Sequence, residues 1–273
     1  MSVLRLQKSA QLRPFDGDVI TNRILILSEI RAMTQTFVDT IPMLPFGMLN
    51  AFLISRGDRA VLVDTGLPNS ERMIEKALNA RGLDWSNLTL TILTHAHIDH
   101  AGSAARVQTR SAAPLLAHHD ELPYCQGQPP LLKPSGPFGR VFYRTGAIQR
   151  PFDTVTPDVI MTTDVFDLSE CGIAAQVLHT PGHTPGSVSV LLDDGRVIAG
   201  DLAASGILLG GIACRTHPKS PPFEEEPMRV VASLQHLLSL DCGLFFLGHG
   251  GPLPATAVQR HSDTLRQRFT PRV

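Results

Sequence analysis

This 273-residue sequence carries almost no net charge: 24 Lys and Arg against 25 Asp and Glu give −1. It has no basic field to attract nucleic acid and no acidic tail. Cysteine is scarce. Cys125, Cys171, Cys214 and Cys242 are widely spaced and form no CxxC pair, which argues against a disulfide framework and for reduced, buried small residues. No apolar run is long enough to span a bilayer. Charges interrupt the apolar stretches near the N-terminus, so the pattern of a secretory signal is not there. A cytoplasmic protein with neither a membrane nor a nucleic-acid partner is expected. Short repeats, low-complexity tracts and obvious interdomain linkers are also missing. What remains is 43% hydrophobic and 18% charged residues, enough for a real core. A single domain over 1–273 is the economical reading.

Apolar runs at Ile24–Ser28, Asn50–Ser55 and Arg59–Asp64 read as strands, the last two joined by a Gly57-Asp58 turn. Ser70 can start a helix running to about Ala80, with Met73, Ile74, Ala77 and Leu78 on one face and Gly82 beyond its end. Leu88–Leu93 and Pro114–Ala117 read as strands, with a helix over Gly102–Gln108 between them. Later strands are expected at Ile173–Leu178, Ser187–Leu192, Arg196–Ala199 and Gly243–Leu247. Helices are expected over Glu225–Leu238 and Ala255–Arg268. Two stretches rich in Pro and Gly, near 122–158 and 203–224, are expected to be lids, because long segments of this kind inside a domain usually serve function.

The most informative stretch follows Leu93. His95-Ala96-His97-Ile98-Asp99-His100 packs three imidazoles and a carboxylate into six residues. Neutral imidazole and carboxylate are the usual ligands of a divalent transition metal. Further ligands must close the coordination spheres, and three candidates sit at or past strand ends: His183, Asp201 and His249. Strand ends are where a rigid scaffold presents chemistry. Taken singly, Asp99 reads as a helix N-cap, Asp201 as a loop carboxylate and His249 as an ordinary histidine. Taken together, in this order, they read as metal ligands.

The set His95-x-His97-x-Asp99-His100, His183, Asp201 and His249 resembles the metallo-β-lactamase fold superfamily of metallohydrolases. Asp64-Thr65-Gly66 and Gly182-His183-Thr184-Pro185-Gly186-Ser187 add to the likeness, which covers roughly residues 20–255. The resemblance implies an α/β fold, a four-layer αββα sandwich of two mixed β-sheets flanked by helices. It assigns His95, His97 and His183 to one metal ion and Asp99, His100 and His249 to a second, with Asp201 bridging. Asp64 would fix the loop by hydrogen bonds rather than bind metal. Two divalent cations are implied, most often zinc in this superfamily, with iron or manganese in some members; the mixed N/O set suits all three. A water bound between two such ions ionises near neutral pH and supplies hydroxide, which Asp99 is placed to orient while it shuttles the proton.

Departures from subfamilies narrow the reaction. A metal-binding Asp201 differs from true zinc β-lactamases. Quorum-sensing lactonases carry a tyrosine shortly after the bridging aspartate, where this chain has Leu202-Ala203-Ala204-Ser205. Glyoxalase II-like thioesterases show a Gly-His-Glu-type motif where this chain has Gly248-His249-Gly250, and only about twenty residues follow it. The expected activity is metal-dependent hydrolysis of a small ester, lactone or thioester, acyl rather than phosphodiester. A β-lactamase-like amide hydrolase and a non-enzymatic metal sensor are the alternatives. Tyr124, Tyr143 and His217 are candidates to line the pocket for this small-molecule substrate, and His118, His119, His179, His236 and His261 read as hydrogen-bonded or solvated. A homodimer is the base-rate expectation.

Overall fold

A strand buried on both faces must be apolar at nearly every position, and Leu49–Arg56 is such a segment. The computed structural model describes residues 35–206 and 213–270. The expected strand at 24–28 lies outside them, as does part of the second lid.

Two six-stranded mixed sheets pack face to face. The first contains β1 (Phe37–Leu44), β2 (Leu49–Arg56), β3 (Arg59–Val63), β4 (Leu88–Ile92), β5 (Leu115–His118) and β6 (Val159–Met161), in that spatial order. Strands β1 to β3 are antiparallel neighbours, while β3 to β6 run parallel. The second sheet contains β7 (Val165–Asp167), β8 (Ala175–His179), β9 (Val188–Leu192) and β10 (Arg196–Ile198). A small ribbon of β11 (Ala204–Ser205) and β12 (Pro218–Lys219) precedes its last strands, β13 (Leu244–Phe246) and β14 (Leu253–Pro254). The spatial order is β14-β13-β10-β9-β8-β7, with β10 and β13 parallel.

The period-two alternation of side chains decides what each strand buries. In β2, Phe52 and Ile54 face the second sheet, while Ala51 and Leu53 face outward. Val61 and Val63 of β3 follow the same inward rule, and Ala60 and Leu62 the outward one. Across the interface Val177, Val188, Val190 and Ile198 complete the central core. Phe52 meets Phe246 edge-on, with ring centroids 5.8 Å apart.

Helices cover both outer faces. Helix α1 (Glu71–Ala80) lays Ile74 and Leu78 on the first sheet. Two short helices follow, α2 (Ile98–Ala101) and α3 (Ala104–Ser111), where the sequence suggested one helix over 102–108. The lid near 122–158 contains α4 (Leu122–Cys125) and α5 (Pro137–Arg144). The second sheet is covered by α6 (Pro227–Ser239) and α7 (Ala255–Phe269), through Val230, Leu234, Leu237, Val258 and Leu265. The layers are therefore α, β, β, α. Among the described residues no helix is long and apolar enough to cross a membrane.

The strands β1, β6, β7 and β14 had no counterpart in the sequence reading. All four lie at sheet edges, and β6, β7 and β14 span only three, three and two residues, too short for a period to register.

His261 on α7 is buried, and its Nε2 has no hydrogen-bond partner. Burial pushes its pKa down to about 4. The unfolded chain, with a histidine pKa near 6.5, takes up that proton earlier. Stability from this group is thus present above about pH 6.5 and is lost as pH falls toward 4. Urea midpoints at pH 7 and pH 5 should differ less in His261→Gln than in the wild type. An unchanged pH slope in the variant would remove His261 from the account.

Candidate metal centre

Parallel strands send their C-terminal ends to one edge of a sheet, and loops there can converge. Strand β3 ends at Val63 and delivers Asp64. Strand β4 ends at Ile92 and delivers His95, His97, Asp99 and His100. In the second sheet the β8–β9 loop carries His183, the turn after β10 carries Asp201, and the turn after β13 carries His249.

These seven candidate ligands meet. His183 Nε2 lies 3.1 Å from His95 Nε2 and 3.2 Å from His97 Nδ1. His249 Nε2 lies 3.4 Å from Asp99 Oδ2 and 3.2 Å from Asp201 Oδ2. Asp201 stands between the two groups, with Oδ1 3.5 Å from His100 Nε2 and Oδ2 3.8 Å from His183 Nε2. Three overlapping triads result: His95, His97, His183; His95, His100, Asp201; and Asp99, His100, His249. All seven side chains are buried except Asp99, which solvent partly reaches.

Ring orientation is fixed from behind. His100 Nδ1 is 2.8 Å from Asp64 Oδ2, His249 Nδ1 is 2.5 Å from the Met48 carbonyl, and His95 Nδ1 is 3.1 Å from Thr94 Oγ1. In each ring Nε2 is left to face the centre, as outer hydrogen bonds commonly arrange for metal-binding histidines. Asp64 also accepts from the Thr94 backbone N–H at 2.8 Å and from the Thr94 hydroxyl. Its φ of +63° is a left-handed conformation that aspartate tolerates better than most residues. Asp64 thus supports the loop and sits outside the three triads.

Several buried polar atoms here lack any hydrogen-bond partner: Asp99 Oδ1, His100 Nε2 and Asp201 Oδ1 among them. Unpartnered buried polar atoms are costly. Imidazole nitrogens facing one another cannot all donate to each other, but all can donate lone pairs to a cation. The donor set fits divalent metal ions on these grounds.

The electrostatics of the group run in two directions. Burial opposes the charge on His100, but Asp201 and Asp64 outweigh it and raise its pKa to about 9. Burial also raises Asp99, yet His100 and His249 prevail and hold it down at about 2. His97 is driven down to about 3, chiefly by burial and then by His183. Bringing the backbone this close requires glycine at 248: a Cβ there would lie 2.3 Å from Asp201 Oδ1.

Tyr124, Tyr143 and His217 are not among these seven. Tyr124 is buried and donates its hydroxyl to Glu225 Oε1 at 2.9 Å. Glu225 in turn donates its backbone N–H to the His183 carbonyl. Tyr143 lies on α5, 43% exposed, with its ring edge-on to Phe223. His217 lines a cavity of about 580 Å³ together with Pro254, Arg260 and His261 of the α7 region, which includes none of the seven. His118 and His179 form a further cluster with Asp120. Their rings are stacked 3.8 Å apart at 10°, so their in-plane lone pairs run side by side rather than toward a common point.

Two residues that the sequence reading passed over support the site. The Asn50 side-chain amide donates to the carbonyls of Leu247 and Gly250 at 3.0 Å each, pinning the turn that carries His249. Glu121 is fully buried and accepts hydrogen bonds from Ala96 and Gly186 backbone N–H groups and from the Thr184 hydroxyl. Burial pushes its carboxyl up to about 7 against the pull of those hydrogen bonds. A carboxylate just past a strand parallel to β4 was the available signal, since that end shares an edge with Asp64 and His95.

The family model described as the metallo-beta-lactamase superfamily matches residues 44–249. The probable metallo-hydrolase YflN of Bacillus subtilis is 28% identical over 74% of this chain and 79% of that protein. A hydroxyacylglutathione hydrolase of Cupriavidus metallidurans is 31% identical over 68% of this chain, which spans 57% of that protein. Among solved structures, TTHA1623 in a di-iron-bound form superposes with a TM-score of 0.57 at 26% identity, covering 82% of this chain and 97% of that one.

Proposed function

Because the chain belongs to the metallo-beta-lactamase superfamily, we propose that its seven converging side chains hold two divalent ions and hydrolyse a small ester, lactone or thioester. The protein is a metallo-hydrolase. The single observation that carries the finer reading is the convergence of two histidine groups on one shared carboxylate, Asp201.

Two ions bound side by side would acidify a water molecule and polarise the bond it attacks. The chain's own residues do the rest. Asp99 is ionised at neutral pH, and its Oδ1 is free of any hydrogen-bond partner. It is the one member of the seven that solvent partly reaches, so it can orient the attacking water and carry a proton to the leaving group. Asp64 and Met48 hold His100 and His249 in fixed orientations, which spares reorganisation during the reaction. Next to Asp99, Ile98 packs with Ile148 and Phe223, and Leu132, Phe142 and Phe152 from the lids extend this apolar wall. An apolar cluster anchored one residue from Asp99 supports an uncharged acyl group over a phosphodiester.

Zinc suits the donor set, and the di-iron form of TTHA1623 supports iron as a second candidate metal. Hydroxyacylglutathione hydrolase as a relative supports thioesters within the acyl class. Metal analysis of the purified protein, with turnover on a chromogenic ester, a lactone, a thioester, a cephalosporin and a phosphodiester, tests the proposal. Two ions with acyl turnover is the expected result. Two ions with no turnover across the panel would point to a metal sensor instead.

Asp99→Asn keeps the shape of the side chain but removes its charge. It is expected to lower kcat by about 10² or more, with the metal content checked in the same sample. Full turnover at intact metal content would take Asp99 out of the proton path.

A further inference from the structure

We propose that Glu121 is a positioning residue that sets the gap between two ligand loops, and so the affinity of the His95–His97–His183 group for its ion. This rests on the reading of the centre as metal-binding.

The geometry is that of a clamp. Glu121 Oε2 accepts the backbone N–H of Ala96 at 2.8 Å, and Ala96 lies between His95 and His97. Its Oε1 accepts the Thr184 hydroxyl at 2.5 Å and the Gly186 N–H at 3.0 Å, and Thr184 follows His183. One carboxylate therefore ties the loop after β4 to the loop after β8, from two different sheets. Residue 186 has no side chain to interfere: a Cβ there would lie 2.8 Å from Glu121 Cγ. Glu121 has no ion-pair partner among the described residues, so its hydrogen bonds alone offset the cost of burying it.

The second ligand group lacks this link. His100 is held by Asp64 and His249 by Met48, and neither contact involves Glu121. A change at Glu121 should reach one ion and spare the other. In Glu121→Gln an amide NH2 must replace one acceptor oxygen, and it then faces a donor. The loops move apart by enough to misplace His183 against His95 and His97.

The test is zinc titration of metal-free protein against a chromogenic chelator, resolving two equivalents. The wild type is expected to bind both tightly. Glu121→Gln is expected to hold one equivalent as the wild type does and the other roughly 10–100-fold more weakly, the range seen when outer hydrogen-bonding partners of ligands are removed. Excess zinc should then restore turnover. Thr184→Val, which removes one donor and leaves the carboxylate, should weaken the same equivalent by a smaller factor, and it serves should the Gln variant not fold. The melting temperature of the metal-free protein is followed alongside. Equal weakening of both equivalents, or unchanged affinity for both, would overturn the clamp. Wild-type protein that binds no zinc and no iron would instead overturn the metal reading beneath it.

Discussion

Removing metal with a chelator is expected to abolish turnover and to lower the melting temperature by about 5–10 °C for each ion lost. The stability figure follows from linkage: an ion at a hundred times its dissociation constant contributes about 2.7 kcal/mol, and about 1 kcal/mol moves the midpoint of a chain this size by 2–4 °C. The structure gives the reason. Five imidazoles and two carboxylates lie within a few ångströms of one another, six of the seven buried, with orphaned polar atoms on several of them. Without cations the facing imidazole lone pairs and the orphaned buried polar atoms are left without partners. The metal-free protein should nevertheless stay folded. The central core, from Phe52 to Ile198, and the two outer cores under α1 and under α6 and α7 involve none of these residues. Scanning calorimetry and turnover, before and after chelation and again after adding metal back, check both parts. A chelated sample shown to be metal-free, yet unchanged in melting temperature and activity, would contradict the proposed centre.

The second large effect is expected at Asp201. Asp201→Ala should lower kcat/KM by on the order of 10³ and release at least one metal equivalent. This carboxylate reaches both groups, with His183, His100 and His249 all within 3.8 Å of its oxygens. Burial raises its pKa, but His249 and His100 more than reverse this, so the anion persists far into acid. Asp201→Asn should behave almost as badly, because an amide replaces the charge that balances several imidazoles. Steady-state kinetics paired with elemental analysis measure both consequences. Near-normal kcat/KM with two ions retained in Asp201→Asn would show that no shared anion is required. Such an outcome would leave the metallo-hydrolase assignment standing and remove only the role of Asp201 as the anion shared by both groups.

The two large effects concern residues that were visible in the sequence, and the clamp concerns one that was not. Four of the seven ligand candidates occupy His95 to His100, where short-range geometry alone brings them together. Asp99 was also readable as a helix cap, but the cap position of α2 falls on His97, and Asp99 lies inside the first turn. The later three were flagged by glycine-rich turns after apolar runs, a local signal again. The layered fold was legible for the same reason: the apolar runs of β2 and β3, the alternation of β4 and the helical stripe of α1 are written in neighbouring positions.

Local pattern by itself determined the inventory of candidate ligands, the strand–turn presentation of each candidate and the two-sheet class, because period and spacing act within a few residues. Tertiary structure alone decided which side chains stand behind the ligands. Glu121 reaches Thr184 across 63 positions and Asn50 reaches Gly250 across 200. Contacts of that span depend on how two sheets stack and on strand register, and leave no periodic trace in the chain. The same holds for the stacked His118 and His179, whose rings meet only because β5 and β8 end on the same side.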